Sequence, residues 1–292
     1  YDPITQTYGD PSRRPEVRNS TIEYIAPSEY MLRPPQPAVY LFLLDISRSA
    51  IESRYLEIFC KVLLAELGQI PGDSRTQVGF IAYDSAVHFF QLSEGLSQPH
   101  EMIVLDTDDI FLPSPDGLLV NLKERIDLVT DLLTQLPTRY SPTCDSDSAF
   151  GTALQIAFKM MSPTGGRVTI FQAALPNCGP GRLTPREDPS QRASTAVQHL
   201  NPATDFYKRL ALDCSLQQIA VDLFVINSEY VDMATISGIS RFNGGCIYHF
   251  PLFKATHPVH ADALEKCFRR YLTRKVGFEA VMRIRCTRGL AI

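Results

Sequence analysis

The chain has 292 residues, of which 45% are apolar and 21% are charged, and its formal net charge is -4. This composition is typical of a globular protein with a substantial core, and the charge balance argues against binding nucleic acid through an overall basic excess. The longest apolar runs have the length of a strand, so the sequence predicts no membrane-spanning helix.

Cysteine usage in this chain indicates free thiols. The seven cysteines stand singly, without a Cys-x-x-Cys pair, at Cys60, Cys144, Cys178, Cys214, Cys246, Cys267 and Cys286. Such spacing argues against a disulfide framework and against a zinc ribbon. Reduced, mostly buried thiols are therefore expected.

The first 37 residues are rich in proline and arginine, a composition that disfavours helix and is typical of extended or linker-like chain. Within this segment only Ser20–Ile25 has the pattern of a short strand. Val39–Asp45 then forms a continuous apolar run, which is typical of a strand buried on both faces of a parallel sheet. This strand is expected to begin the main domain.

A helix is predicted next, because Ser49–Glu52 has the pattern of a capping box and apolar residues recur at helical spacing up to Leu67. Further strands are predicted at Val78–Tyr83, Val87–Leu92, Val168–Phe171, Ile219–Ile226 and Cys246–Phe250. Further helices are predicted near Leu122–Leu136, Thr152–Met161, Phe206–Leu212, Met233–Ser240 and Ala261–Arg274. This alternation predicts an α/β fold with a mostly parallel sheet and helices on both faces.

Two later segments have other patterns. Ala174–Thr204 contains many prolines, glycines and polar residues, which predicts a long surface loop. Glu279–Cys286 alternates between apolar and basic residues, which predicts a half-exposed strand that opens a second, antiparallel domain.

The end of the first strand carries a motif with the chemistry of a cation site. Asp45, Ser47 and Ser49 form Asp-x-Ser-x-Ser, the first element of the metal-ion-dependent adhesion site of von Willebrand A domains. Ser148 offers a hydroxyl for the second element, but the chain after Phe171 provides no carboxylate for the third. Because a hard cation needs a full set of oxygen ligands, this motif is interpreted as degenerate and metal-free. The structural alternative to a metal site is that Ser49 caps the helix and Asp45 accepts hydrogen bonds from loop amides.

Catalytic motifs are scarce. The sequence contains no Gly-x-Ser-x-Gly elbow, no Walker loop and no His-Glu-x-x-His, and its six histidines are dispersed. Asp106, Asp108 and Asp109 form an acidic run, for which a solvated loop is the ordinary interpretation. The chain is therefore predicted not to be an enzyme.

A pair of arginines is the second candidate site. Arg283 and Arg285 lie two residues apart on the predicted C-terminal strand, so both guanidinium groups project from one face about 7 Å apart. This spacing suits an acidic peptide, whereas the strand pattern alone favours ordinary exposed arginines.

Several long segments have a family-specific sequence: Arg14–Tyr40, Leu119–Leu122 (LVNL), Lys159–Arg167 (KMMSPTGGR), Asp205–Lys208 (DFYK), Leu212–Ser215 (LDCS) and Tyr271–Leu290 (YLTRKVGFEAVMRIRCTRGL). On these segments the chain resembles one family, the cargo-adaptor branch of the COPII coat (the Sec twenty-three / Sec twenty-four family). The segments span nearly the whole chain. The resemblance implies an extended N-terminal segment at 1–37, a von Willebrand A-like trunk domain at 38–275 and the start of a β-sandwich at 276–292.

The resemblance also implies a function and partners. A COPII adaptor selects cargo by binding acidic or hydrophobic-acidic sorting signals on the cytosolic tails of membrane cargo and SNARE proteins. Its trunk pairs with that of the GTPase-activating coat subunit, through which it meets the small GTPase of the coat. It acts in the cytoplasm, peripherally on the endoplasmic reticulum membrane at exit sites and on COPII vesicles. Carried over by motif, the signal-binding residues are Tyr30, Arg75, Arg283 and Arg285.

The chain is expected to be a piece of such an adaptor, because the family's zinc finger and later domains do not occur in it. No cofactor is expected here, since the structural zinc belongs to the preceding zinc finger. The alternative function is a metal-dependent von Willebrand A ligand-binding module of another system, which would require Asp45.

Overall fold

The computed structural model describes residues 4, 8–10, 18–22, 27–30, 34–187, 200–278, 280 and 284–291. The chain divides into two compact units, Tyr1–Gln36 and Pro37–Ile292. The first unit contains a short 3-10 helix at Ser28–Tyr30. Its predicted strand at Ser20–Ile25 lies partly outside the described residues, and the described residues 20–22 are not in a strand.

The strands and α-helices whose bounds the structure describes lie in the second unit. The strands are β1 Val39–Asp45, β2 Gln77–Tyr83, β3 Val87–Gln91, β4 His100–Val104, β5 Val120–Asn121, β6 Gly166–Gln172, β7 Ile219–Val225 and β8 Ile247–His249. The helices are α1 Arg48–Ser53, α2 Tyr55–Glu66, α3 Ile126–Arg139, α4 Phe150–Met161, α5 Phe206–Leu216, α6 Met233–Ile236, α7 Gly238–Arg241 and α8 Pro258–Thr273. Among the described helices, none has the length and apolar character needed to cross a membrane.

All eight strands join one sheet in the order β4-β3-β2-β1-β6-β7-β8, with β5 paired to β2. The pairs β1–β2, β1–β6, β6–β7 and β7–β8 are parallel, while β3, β4 and β5 pair antiparallel. The predicted α/β architecture with a mostly parallel sheet is confirmed. In the register, Asp45 pairs with Tyr83 and Leu44 with Phe171, so the carboxyl ends of β1, β2 and β6 meet at one edge.

Each face of the sheet has its own apolar core, because the central strands are buried on both sides. On one face α2, α3 and α8 cover a cluster of stacked and edge-on aromatic rings that centres on Phe171, with Phe59, Phe224 and Phe268 around it. On the other face α4 and α5 pack against the alternate residues of the same strands. Helices therefore lie on both faces, as predicted.

Several element predictions need correction. The predicted continuous helix from Ser49 to Leu67 is interrupted at Arg54, whose φ of 59° is left-handed. The N-cap position of α1 is Ser47 rather than Ser49, and it makes no side-chain capping hydrogen bond, so the capping role of Ser49 is wrong. Strands β4 and β5 were not predicted, and the predicted helix Met233–Ser240 consists of two short helices.

The predicted loop and C-terminal strand are only partly described. Residues 174–187 and 200–204 contain no strand and no α-helix, in agreement with a long loop. Of the predicted strand Glu279–Cys286, residues 279 and 281–283 lie outside the described part, and residues 280 and 284–286 are not in a strand. The start of a β-sandwich at 276 therefore stays a prediction.

Candidate functional site

Asp45 lies at the carboxyl end of β1, where its carboxylate is fully buried and both of its oxygens accept hydrogen bonds. Its Oδ1 accepts a hydrogen bond from the amide of Ser47 at 2.9 Å. Its Oδ2 accepts hydrogen bonds from the amides of Ala173 and Ala174, at 2.8 and 2.9 Å. The prediction that loop amides donate to Asp45 is confirmed, and the carboxylate ties the end of β1 to the loop after β6.

Opposing effects act on the pKa of Asp45. Burial raises it, because a charged carboxylate loses its hydration, and the amide hydrogen bonds oppose that shift by stabilising the ionised form. Burial is the larger effect, so the pKa lies above its ordinary value.

Gln172 occupies the place in the chain where a third metal-binding element would supply a carboxylate. Its Nε2 donates to the hydroxyl of Ser148 at 3.1 Å and to the carbonyl of Ala174 at 2.6 Å. Its Oε1 accepts a hydrogen bond from the Tyr83 hydroxyl at 2.6 Å. Both amide atoms of Gln172 and the hydroxyl of Ser148 are thus used inside the protein. The sequence analysis missed the roles of Gln172 and Tyr83.

This arrangement does not fit a hard divalent cation. Asp45 already accepts three amide hydrogen bonds, and Gln172 stands where a third element would supply a carboxylate. Across the described part of the chain, no three histidine, cysteine or acidic side chains come together as a metal site. Because Mg²⁺ and Ca²⁺ require several oxygen ligands, the motif is better explained as a structural hydrogen-bond centre.

The three described members of the predicted signal-binding set, Tyr30, Arg75 and Arg285, are exposed. Tyr30 ends the short 3-10 helix of the first unit, with 80% of its surface exposed. Arg75 lies in the turn before β2, where its Nε and Nη2 donate to Oδ2 of Asp73 at 3.0 and 2.8 Å. Arg285 is exposed, and Arg283 lies outside the described residues. The shared role of these four residues stays a prediction.

A buried charged cluster joins β3, β4 and the end of α3. The ring of His88 contacts Glu101 at 2.8 Å and Asp84 at 3.3 Å. Arg139 contacts Glu101 at 2.5 Å, and the Tyr140 hydroxyl also donates to Glu101. Burial would lower the pKa of His88, but the hydrogen bonds to the two carboxylates outweigh burial and raise it to about 9. Burial would raise the pKa of Glu101, but its charged and hydrogen-bonding neighbours lower it to about 2.

The sheet and the Asp-x-Ser-x-Ser loop together define an α/β domain of the trunk type. In this domain the motif that resembles a metal site forms structural hydrogen bonds within the protein. The Sec23/Sec24 trunk domain model matches residues 35–272. The chain therefore belongs to the Sec23/Sec24 trunk family, and the resemblance stated from the sequence is confirmed.

The chain is similar to Sec24 proteins over its full length. It is 60% identical to protein transport protein Sec24B of Homo sapiens, covering 100% of this chain and 23% of that protein. It is 57% identical to protein transport protein Sec24A of Bos taurus, covering 100% of this chain and 27% of that protein. The chain thus spans about a quarter of the length of these relatives. The similarity to transport proteins agrees with the prediction that the chain is not an enzyme.

A solved structure also has this fold. The crystal structure of the human COPII-coat protein Sec24c superposes with a TM-score of 0.80 at 30% sequence identity. The match covers 87% of this chain and 35% of that chain.

Proposed function

We propose that this chain is the trunk of a COPII coat subunit that selects cargo for transport from the endoplasmic reticulum to the Golgi, without enzymatic activity. The observation that carries the proposal is the 60% identity to a Sec24 protein over the whole chain. The site near Asp45 supports a role without chemistry, because its polar groups are buried and used for internal hydrogen bonds.

We further propose that acidic or hydrophobic-acidic signals bind at Tyr30, Arg75, Arg283 and Arg285. Arginine side chains can hold carboxylates through charge-assisted hydrogen bonds, and both Arg75 and Arg285 are exposed. The exposed Tyr30 ring suits an apolar signal residue. Because Asp73 already accepts hydrogen bonds from Arg75, a signal carboxylate must compete with it there. Weak single contacts would gain from multivalency on a coat lattice.

The proposed partners follow from the same family. We propose that the trunk pairs with the homologous trunk of the GTPase-activating coat subunit, meets the small GTPase through that subunit, and acts on the cytosolic face of the endoplasmic reticulum at exit sites. The residues of this chain require no cofactor for this role, and a structural zinc would belong to a preceding zinc finger.

Signal binding is testable by titrating the chain with a labelled acidic sorting-signal peptide at low and high salt. We expect salt-sensitive binding that weakens about tenfold or more in Arg283→Glu/Arg285→Glu, because each lost charge-assisted bond is worth about 1.5–3 kcal/mol. The matched control is Lys275→Glu/Arg288→Glu, which makes the same change of net charge at two other exposed residues. Equal loss in the control would show that total charge, not the proposed site, holds the peptide. No binding to the unmodified chain would contradict the site.

A further inference from the structure

The strand β4 forms one end of the sheet. Within the described chain it pairs with β3 and with no other strand. An edge strand directs half of its backbone N–H and C=O groups away from its neighbour, where they can pair with another extended chain. The outer side of β4 is therefore a template for one more strand.

Exposed apolar side chains accompany this free edge. Side chains alternate between the faces of a sheet, so Glu101 and Ile103 lie on the same face, and Leu105 follows directly after the strand ends at Val104. Glu101 is held inward by His88 and Arg139, but Ile103 is 53% exposed and Leu105 is 79% exposed. Protein edges are commonly protected by lysine or proline, and β4 contains neither. An added strand would cover both apolar side chains.

Three acidic residues follow β4 in the chain. Asp106, Asp108 and Asp109 are exposed directly after Leu105. The carboxylate of Asp106 accepts hydrogen bonds from the amides of Asp108 and Asp109, at 3.0 and 3.1 Å, and these bonds lower its pKa. Among the described residues, none of the three carboxylates forms an ion pair with a lysine or arginine. One end of the edge is therefore negatively charged.

We propose that β4 binds an extended segment of another protein as an additional strand. The free backbone groups fix the extended conformation, Ile103 and Leu105 select apolar residues at alternate positions, and Asp106, Asp108 and Asp109 select lysine or arginine at one end of the segment. The occupant is thus a basic, β-prone peptide. This surface shares no residue with the proposed acidic-signal site and has the opposite charge preference.

The test uses the full chain and a fluorescein-labelled peptide of sequence Lys-Lys-Val-Thr-Val-Thr-Val, followed by fluorescence polarisation. We expect saturable binding that weakens about tenfold or more in Ile103→Lys/Leu105→Lys, because the apolar contacts are replaced by charges that repel the peptide. The matched control is Leu212→Lys/Leu216→Lys on α5, which places the same charges on other exposed leucines. Circular dichroism checks that both variants are folded.

Two further binding measurements distinguish strand addition from non-specific electrostatic attraction. A peptide N-methylated at alternate residues keeps its charge and apolar side chains but loses backbone donors, and it should not bind. Asp108→Asn/Asp109→Asn should weaken binding at low salt and reduce its salt dependence. Failure of the unmodified chain to bind, equal loss in the α5 control, retained binding of the methylated peptide, or self-association of the chain that excludes the peptide would each overturn the proposal.

Discussion

At the scale of single residues, Asp45 shows how a metal-type motif can serve structure. Its carboxylate accepts three amide hydrogen bonds in a fully buried position. In Asp45→Asn, one oxygen becomes an NH₂ group that faces amide donors, so at least one buried amide loses its acceptor. We expect the free energy of unfolding to fall by about 1–3 kcal/mol, measured by urea denaturation.

The matched control for Asp45→Asn is Asp213→Asn, which makes the same change at an exposed position of α5. The control should change the free energy of unfolding by less than about 0.5 kcal/mol. Equal stability of the two variants would contradict the structural role assigned to Asp45.

Sequence reasoning predicted part of this site. The motif from Asp45 to Ser49 is local, so its place at the end of β1 and the amide donors to Asp45 could be foreseen. The contacts of Gln172 with Tyr83 and Ser148 could not, because they join residues from three separate parts of the chain that only the sheet register brings together. In the sequence alone, a glutamine next to an apolar run does not indicate that its side chain will form buried hydrogen bonds to distant residues.

At the scale of elements, the cluster around His88 ties the edge strand to the end of α3. The pKa of His88, 6.5 in the unfolded chain, rises to about 9 in the folded protein. Stability from the charged ring is therefore fully present below pH 6.5 and is lost as the pH rises through about 9. Glu101 behaves oppositely: its contribution is lost as the pH falls from 4.5 through about 2.

We therefore expect His88→Gln to destabilise the protein most at pH 6, by about 3–5 kcal/mol, because Asp84 loses its cationic partner and Glu101 keeps only Arg139. The difference from the unmodified chain should narrow toward pH 10, where His88 is neutral. Urea unfolding at pH 6, 8 and 10 measures both effects. His100→Gln, at an exposed position of the neighbouring strand β4, serves as the control. A difference that does not vary with pH would contradict the ionic role of His88.

The elements found by sequence reasoning were those with strong patterns. Strand β1 is a continuous apolar run, and its predicted bounds agree with the structure. Strand β4 was missed because its five residues mix charged and apolar types and are only partly buried. The break between α1 and α2 was missed because Arg54 adopts a left-handed conformation that its residue type does not signal.

At the scale of the whole molecule, the division into two compact units predicts that removal of the first unit is tolerated, whereas removal of the end of the second unit is not. The second unit, Pro37–Ile292, contains the whole sheet and both cores. A chain that starts at Pro37 should therefore unfold in one cooperative transition, measured by thermal circular dichroism. A chain that ends at His257 should not fold, because it loses α8 with the buried Phe268, worth about 3–5 kcal/mol, and Tyr271. Loss of cooperative unfolding in the first truncation would contradict the division.

The position of β1 also has a consequence for how the protein is made. This apolar strand lies in the middle of the sheet, yet one of its partners, β6, is encoded nearly half a chain later. During synthesis β1 leaves the ribosome before β6. The edge of β1 that pairs with β6 in the folded protein therefore stays unpaired until β6 has also emerged. Pairings between such distant segments close slowly. We therefore expect the nascent chain to need a chaperone that covers β1 during synthesis. The folded structure alone does not show this requirement.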